Sequence, residues 1–337
     1  MLVNVLTPSA FAKEAEVLEF TSEDYDRIDP NLSQVPARLT EQDNVSANMT
    51  KVLDAPNQEE LRYVKIQVLL DRAGFSPGAI NGKRSDYLDR LSKLYAAKAD
   101  VDLLSMPVDK IDALLLKTGG EVFETYELTS KDVAGPFTTY IPSRIQDQAG
   151  LEKLNFKSGR ESIAERFHMD ELFLARMNLD VDFTKIGSKV TVTNIGRYLD
   201  KWVGKIHADK TLKQVTAFDQ NGDVLAVYPA SIGSQETPSP KGSFTVRNKA
   251  GFPAYTLAAE NGFEKLDDKR QVLIAPGPNN PVGSAWIGLS KKTYGIHGTP
   301  EPSNIGRAES HGCIRLTNWD ALELARLVRT GIEVVID

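Results

Sequence analysis

The chain has 337 residues and a formal net charge of -6, and 41% of its residues are hydrophobic while 26% are charged. This apolar fraction is typical of globular proteins and excludes a wholly disordered chain, and the length favours two or three domains. The acidic balance argues against nucleic acid as the main partner, and no apolar run reaches the roughly 18 residues of a membrane-spanning helix. The single cysteine, Cys313, excludes an intramolecular disulfide framework and a zinc site of several cysteines.

Residues 1–58 are predicted to be an acidic, extended lead-in. The first 60 residues carry 12 acidic and 4 basic side chains, with few aromatics and no clear hydrophobic period. Ala10-Phe11-Ala12 has the small-x-small form of a signal-peptidase site, but few apolar residues and no basic segment precede it. Both an exported protein with an incomplete signal and an ordinary apolar beginning fit this pattern.

Residues 59–104 are predicted to be a small helical module. The stretch VKIQVLLDRAGFSPGAINGK resembles the start of a peptidoglycan-binding-like helical domain, over about forty residues. This resemblance implies glycan binding, and a merely structural role is the alternative. Apolar residues at helical spacing flank a glycine-containing turn region at 74–82: Leu61, Val64, Val68 and Leu69 before it, and Leu88, Leu91 and Leu94 after it.

Residues 105–200 are predicted to hold a second small module with its connectors. Residues 162–178 have the pattern of two short helices separated by a turn, and Val190 and Val192 indicate a strand after Gly187. This order is similar to a degenerate LysM module, another peptidoglycan-binding fold. His168 is predicted to be an ordinary helix residue rather than a ligand.

Beyond residue 202 the hydrophobic pattern changes to that of strands, which predicts a mainly β domain over 203–337. Gln220-Asn221-Gly222-Asp223 is a strong hairpin signal. Thr317 and Asp320 have capping-box spacing before an apolar helix, and Gly331 stands where that helix should end. The whole chain is therefore predicted to be a multidomain α+β protein. Strands are predicted at 212–218, 224–230, 242–246, 272–275, 285–289, 294–297 and 332–336.

The chemically informative residues lie between His297 and Cys313. Two of the four histidines and the only cysteine fall in this stretch. A thiol becomes a good nucleophile at neutral pH only when a neighbouring group takes its proton, and imidazole is suited to that task. His297 ends a predicted strand and Cys313 begins another, so adjacent strands would bring their side chains face to face. Gly312 lets the backbone approach a substrate closely, and the N–H groups around it could face an oxyanion. The pattern predicts acyl transfer through a thioester.

The run HGTPEPSNIGRAESHGCIRL resembles the active-site signature of the L,D-transpeptidase (YkuD-like) family, and TPSPKGSFTV at 237–246 resembles a second element of that domain. The resemblance covers 203–337 and implies a mainly β catalytic domain. It further implies a cysteine that attacks the peptidoglycan tetrapeptide stem between its third and fourth residues and releases D-alanine. The acyl group then passes to an amine, which makes a 3-3 cross-link.

The same resemblance implies the surroundings and the site residues. The implied partners are stem peptides and glycan, with an envelope protein as another acyl acceptor. The implied chemistry needs no cofactor. The implied location is the periplasm or the cell wall. Cys313 is implied as the nucleophile and His297 as its general base and later proton donor. Further residues are implied around the oxyanion, namely Ser310, His311 and Gly312, and in contact with the substrate, namely Tyr294, Gly298 and Arg315. Arg315 occupies a position where some family members have Asn, and its guanidinium is suited to bind a substrate carboxylate.

Several alternatives compete with this interpretation. A zinc site from His297, His311 and Cys313 uses suitable ligand types but lacks an obvious fourth partner, and a buried structural cysteine fits poorly with its polar neighbours. Lys117-Thr118-Gly119 matches one element of serine β-lactam enzymes, yet the chain contains no Ser-x-x-Lys. Two functional alternatives stay open: an L,D-carboxypeptidase that uses water as acceptor, and a catalytically silent cell-wall binding scaffold.

Overall fold

The structure is a computed structural model that describes residues 53–196, 199–234, 238–258, 271–307 and 312–337. The predicted acidic lead-in up to residue 52, including Ala10-Phe11-Ala12, lies outside the described residues. Within the described ranges, no helix is both long enough and apolar enough to cross a membrane. The α-helices are α1 (Gln58–Arg72), α2 (Asp86–Ala99), α3 (Val108–Thr118), α4 (Ser130–Ala134), α5 (Gly159–Arg166), α6 (Glu171–Met177) and α7 (Asn318–Leu327).

Helices α1 and α2 flank the predicted turn region. Asn57 caps α1 through the backbone N–H of Glu60, whose side chain in turn accepts from the Asn57 backbone, so the first turn is satisfied reciprocally. The apolar face of α1 packs against α3 and contributes Val64, Ile66 and Leu70 to a core that also contains residues C-terminal to position 104. Helices α1, α2, α3, α5 and α6 therefore share one core rather than forming separate small cores.

Strands β1 (Phe123–Glu127) and β2 (Lys189–Thr193) pair antiparallel, and α5 and α6 lie between them in the chain. The two short helices and the returning strand agree with the sequence prediction. The prediction for His168 is wrong, because α5 ends at Arg166 and His168 adopts a left-handed φ of 53°. The chain turns there because the N–H of Met169 bonds back to the carbonyl of Ala164.

The segment between α4 and α5 extends onto the β domain. Its apolar residues Ile141, Ile145 and Leu151 pack around buried Leu154, which belongs to a cluster with Leu257 and other residues of the β domain. A short 3-10 helix, Ile145–Gly150, lies within this segment. The segment between α4 and α5 thus packs against the β domain although it lies before that domain in the sequence.

The strands of the β domain are β3 (Lys205–Asp209), β4 (Gln214–Phe218), β5 (Val224–Pro229), β6 (Ser231–Ile232), β7 (Gly242–Gly251), β8 (Tyr255–Leu257), β9 (Val272–Ile274), β10 (Ala285–Leu289), β11 (Gly295–His297), β12 (Ile314–Arg315) and β13 (Glu333–Ile336). Within the described residues, nine of them form a mixed sheet in the order β5-β4-β3-β13-β7-β10-β11-β12-β6. The parallel pairs are β3 with β13 and β11 with β12. Strands β8 and β9 form a separate antiparallel pair.

Most of the predicted strands and the predicted helix are confirmed. The Asn-Gly turn joins β4 to β5, with the Asp219 carboxylate accepting the backbone N–H groups of Asn221 and Asp223. Thr317 caps α7 through the N–H of Asp320. Strand β3, an internal strand of the sheet, was not predicted, because its five residues place only Ile206 and the small Ala208 on the buried face, which is a weak periodic signal.

The turn after α1 joins the edge of this sheet. The backbone N–H of Ser76 bonds to the carbonyl of Val227 in β5, and the N–H of Val227 bonds to the carbonyl of Gly74. Phe75 between them is buried. Paired backbone bonds of this kind fix the register of the contact, so the helical part and the β domain meet in one defined arrangement.

Candidate active site

His297 and Cys313 lie on neighbouring parallel strands. His297 is the last residue of β11, and Cys313 immediately precedes β12. In the parallel register Ile296 lies opposite Ile314 and His297 opposite Arg315. Continuing that register places Cys313 level with Gly295 and its side chain on the same face as that of His297, because alternate residues share a face. The two groups are therefore diagonal neighbours, and Arg315 is the residue directly opposite His297.

The imidazole of His297 is held in one tautomer. It is fully buried, and its Nδ1 lies 2.7 Å from the carbonyl oxygen of Gly298. A carbonyl oxygen only accepts hydrogen bonds, so Nδ1 carries the proton and Nε2 carries the lone pair. Nε2 has no hydrogen-bond partner within the described residues. The ring stacks on Trp286 with 5.8 Å between centroids. His297 thus presents an available acceptor nitrogen in a fixed orientation.

The environment of His297 favours its neutral form. Burial, followed by the neighbouring positive charge of Arg315, lowers the pKa of His297 to about 3, although the hydrogen bond to Gly298 acts in the opposite direction. At neutral pH the imidazole is therefore uncharged and able to accept a proton.

Cys313 is buried, with 6% of its surface exposed, and its Sγ lies 3.8 Å from the carbonyl oxygen of Thr293. Burial raises the pKa of the Cys313 thiol, while the backbone of Gly295 and the charge of Arg315 act in the opposite direction. The resting thiol is therefore protonated at neutral pH, and its conversion to a thiolate needs a base.

Cys313 lies at the wall of a cleft of 220 Å³. Most of the lining is apolar, which lowers the local dielectric constant and strengthens electrostatic interactions with a bound polar group. The other lining residues are Pro253, Ala254, Tyr255, Thr256, Val282, Trp286 and Thr293.

The structure places four further predicted residues near this pair. Gly312 has a φ of 114°, which favours glycine, and its carbonyl accepts a hydrogen bond from the hydroxyl of Ser239. Tyr294 is buried, which raises its pKa, and the neighbouring Cys313 charge adds to that effect. Gly298 is buried and supplies the carbonyl that orients His297, while Arg315 faces both members of the pair. Ser310 and His311 lie outside the described residues.

Sequence reasoning missed Trp286, Tyr255 and Ser239. Trp286 lies in a predicted strand, but nothing in the strand pattern distinguishes a side chain that stacks on a catalytic-type imidazole from one that packs in a core. Ser239 lies within the TPSPKGSFTV element, which was the available signal for it. Tyr255 lies in no recognisable sequence motif. It lines the cleft as part of β8, which pairs with β9.

The fold and the site together define a class of protein: a mainly β domain with a buried thiol and a buried histidine beside an apolar cleft. Comparison with known proteins specifies it further. Residues 204–336 match the model of the YkuD family, the L,D-transpeptidase catalytic domain. Residues 204–336 therefore form a catalytic domain of the YkuD L,D-transpeptidase family.

Curated relatives agree with this assignment. The chain is 37% identical over 113 residues to a putative L,D-transpeptidase YkuD of Bacillus licheniformis, which covers 34% of this chain and 53% of the relative. It is 35% identical over 117 residues to the Bacillus subtilis protein of the same name, covering 35% of this chain and 56% of the relative. The chain thus spans about half the length of these relatives. The probable L,D-transpeptidase ErfK/SrfK of Escherichia coli aligns over 230 residues at 26% identity, which covers 66% of this chain and 71% of the relative.

Among solved structures, an L,D-transpeptidase from Mycobacterium smegmatis matches with a TM-score of 0.34 and 22% identity, over 45% of this chain and 64% of that one. L,D-transpeptidase 3 from Mycobacterium tuberculosis matches with a TM-score of 0.34 and 19% identity, over 45% of this chain and 75% of that one.

Proposed function

We propose that this protein is a peptidoglycan L,D-transpeptidase that works through a thioester on Cys313. The observation that carries the proposal is the pairing of a buried thiol with a histidine whose Nδ1 proton is fixed on the Gly298 carbonyl. That hydrogen bond directs the lone pair of Nε2 away from the backbone, which is the requirement for a general base.

In the first half of the proposed reaction, the Sγ of Cys313 attacks the carbonyl carbon between the third and fourth residues of a tetrapeptide stem. Its proton moves to Nε2 of His297. The tetrahedral intermediate then collapses, the peptide C–N bond breaks, and His297 returns the proton to the nitrogen of the departing D-alanine. The product is an S-acyl enzyme with a neutral imidazole, ready for a second substrate.

In the second half, the amine of an acceptor stem attacks the thioester carbonyl. His297 accepts a proton from the attacking amine and gives it to the sulfur as the C–S bond breaks, which restores the thiol and leaves a 3-3 cross-link. Arg315, beside both Cys313 and His297, is proposed to bind a carboxylate of the stem. Gly312 and its neighbours Ser310 and His311 are proposed to frame the oxyanion.

The substrate class also determines the proposed location. Peptidoglycan stems lie outside the cytoplasmic membrane, so we propose that the protein acts in the periplasm or at the cell wall. Stem peptides and glycan are the proposed partners, with an envelope protein as an alternative amine donor. Glycan binding by the segments before residue 203 is part of the same proposal.

The test is intact-protein mass spectrometry after incubation with a tetrapeptide-stem muropeptide. Wild type is expected to gain the mass of the stem minus alanine, and Cys313→Ala is expected to gain none. His297→Ala, with the thiol retained, should acylate far more slowly, since removal of a general base typically costs about 100-fold or more.

The products then separate the alternatives. A cross-linked dimer supports transpeptidation, whereas a free tripeptide stem without dimer supports a carboxypeptidase with water as acceptor. Folded wild-type protein with a reduced thiol that neither gains mass nor releases alanine contradicts the enzyme proposal and supports a wall-binding scaffold.

A further inference from the structure

A buried carboxyl group from outside the catalytic domain reaches the helix that follows the active-site strand. Glu165, near the end of α5, is only 3% exposed. Its two carboxyl oxygens lie 3.1 and 3.0 Å from Nδ2 of Asn318, the first residue of α7. The contact joins residues 153 positions apart and crosses from the helical part of the chain to the β domain.

Asn318 connects this carboxyl group to the loop that follows His297. Its Oδ1 accepts the backbone N–H groups of Ser284 and Thr299 at 2.9 and 3.1 Å, and its Nδ2 also donates to the carbonyl of Pro278 at 3.1 Å. A backbone N–H only donates, so the orientation of the amide is fixed by its partners. All four hydrogen-bonding positions of this fully buried side chain are therefore occupied.

The contacts of Asn318 reach the two residues that follow His297 in the chain, Gly298 and Thr299. Thr299 is bonded to Asn318, and Gly298 packs so closely on Asn318 Oδ1 that a Cβ at position 298 would overlap it. The carbonyl of Gly298 is the group that holds Nδ1 of His297. The position of that carbonyl thus depends on the position of the Asn318 amide.

We propose that Glu165 is a positioning residue for His297, acting through the Asn318 amide and the Gly298-Thr299 backbone. The carboxyl group of Glu165 accepts from the NH₂ group of Asn318, which keeps Oδ1 facing the loop. Without it, a buried donor loses its acceptor, and the amide is free to rotate away from Thr299. The inference rests on the proposed role of His297 as the base, and it makes the part of the chain before residue 203 necessary for the geometry of the site.

The experiment compares Glu165→Ala and Glu165→Gln in the full chain, with Glu161→Ala as the matched control. Glu161 lies one turn earlier in α5, is 8% exposed, and bonds to Asn279 rather than to Asn318. The first measurement is the rate of alkylation of Cys313 by iodoacetamide across pH, with His297→Ala defining the rate without the base. The second is the kcat and KM for D-alanine release from a tetrapeptide muropeptide.

We expect Glu165→Ala to slow alkylation near neutral pH by at least about tenfold, toward the rate of His297→Ala, because a displacement of ~1 Å in a catalytic group costs up to about 100-fold. The kcat should fall with KM within about twofold. Glu165→Gln should restore both, since its amide oxygen still accepts from Asn318, and Glu161→Ala should resemble wild type. If Glu165→Ala does not fold, Glu165→Met, which fills the space but accepts no hydrogen bond, takes its place.

Wild-type rates in a folded Glu165→Ala or Glu165→Met protein overturn the proposal, and so does an equal loss in Glu161→Ala. Alkylation needs no peptidoglycan substrate, so it separates the two hypotheses. Wild type that releases no D-alanine but shows the Glu165-dependent alkylation contradicts the proposed function and supports the positioning role.

Discussion

At the scale of single residues, the environment of the Cys313 and His297 pair keeps both side chains uncharged. Burial raises the pKa of the thiol and lowers the pKa of the imidazole to about 3. These opposite directions describe a neutral resting pair rather than a preformed thiolate and imidazolium. In the proposed reaction, proton transfer from the thiol is therefore coupled to attack on the substrate, where the developing charge is stabilised.

This environment predicts the pH dependence of thiol reactivity. Since His297 takes up a proton only near pH 3, the part of the Cys313 alkylation rate that depends on His297 should stay constant from pH 5 upward. The part carried by the thiolate should rise with pH, because the pKa of the thiol lies above its usual range. The thiolate absorbance in the ultraviolet should follow this second part. A thiolate that is already fully formed at pH 6 would contradict this prediction, and Cys313→Ala is the control for background absorbance.

A glycine next to His297 gives a second prediction at this scale. A Cβ on Gly298 would overlap Asn318 Oδ1, so Gly298→Ala should lower the free energy of unfolding by about 1–3 kcal/mol and also reduce D-alanine release. Urea denaturation measures the first effect. Gly150→Ala is the matched control, because nothing lies within 4 Å of a Cβ at that position. Equal stability of the two variants would show that the loop adjusts at no cost.

At the scale of elements, the start of α7 fixes part of the site. Thr317 is fully buried, and its Oγ1 accepts the N–H of Asp320 at 3.1 Å. The next residue is Asn318, so the position of the first turn determines where the amide lies. Asp320, whose spacing predicts the partner residue of a capping box, also accepts a hydrogen bond from the Ser76 hydroxyl at 3.0 Å.

Removal of the cap should therefore affect both stability and the site. Thr317→Ala is expected to lower the free energy of unfolding by about 1–2 kcal/mol, because a buried N–H at the helix start loses its acceptor. Thr317→Ser keeps the hydroxyl and should restore most of the loss. Thermal unfolding followed by circular dichroism measures both variants. A Thr317→Ala protein with wild-type stability would mean that another acceptor replaces the hydroxyl.

Local signals were sufficient for most elements of the β domain. The Asn-Gly turn, the cap of α7 and the apolar strands depend on interactions within a few residues, so they are readable from the chain. Strand β3 was missed because only Ile206 and Ala208 mark its buried face, and because one of its neighbours, β13, lies far away in the sequence. His168 was assigned to a helix because sequence spacing does not reveal the left-handed turn that ends α5.

At the scale of the whole molecule, buried ionisable groups concentrate where the helical part meets the β domain. His168 stacks on Trp319 with 5.1 Å between ring centroids, and its Nδ1 lies 3.1 Å from an oxygen of Asp71. Burial raises the pKa of Glu165 to about 8 and that of Asp320 to about 7. Contacts of this kind cost desolvation energy, so they serve better to specify one arrangement of the two parts than to add stability.

The raised pKa of Glu165 predicts how stability changes with pH. A carboxyl whose pKa is higher in the folded protein binds more protons folded than unfolded, so its contribution to stability is lost as pH rises from about 4.5 toward 8. Glu165→Gln mimics the neutral form and should match wild type near pH 5 but exceed it near pH 9, by about 1 kcal/mol or more. Urea denaturation at both pH values tests this. If wild type is as stable as Glu165→Gln at pH 9, or more stable, the predicted pKa shift is contradicted.

The sequence by itself determined the family of the C-terminal domain and its mainly β class, and it predicted Cys313 and His297 as the reactive pair, because these inferences depend on a local motif and on short-range periodicity. It did not show the tautomer of His297, the stacking on Trp286 or the cleft. The stacking and the cleft depend on how strands pair, and the tautomer depends on the orientation in which packing holds the Gly298 carbonyl. Only the tertiary structure revealed that Glu165 reaches Asn318, since a hydrogen bond across 153 residues leaves no periodic signal and arises from how two separately patterned parts pack together.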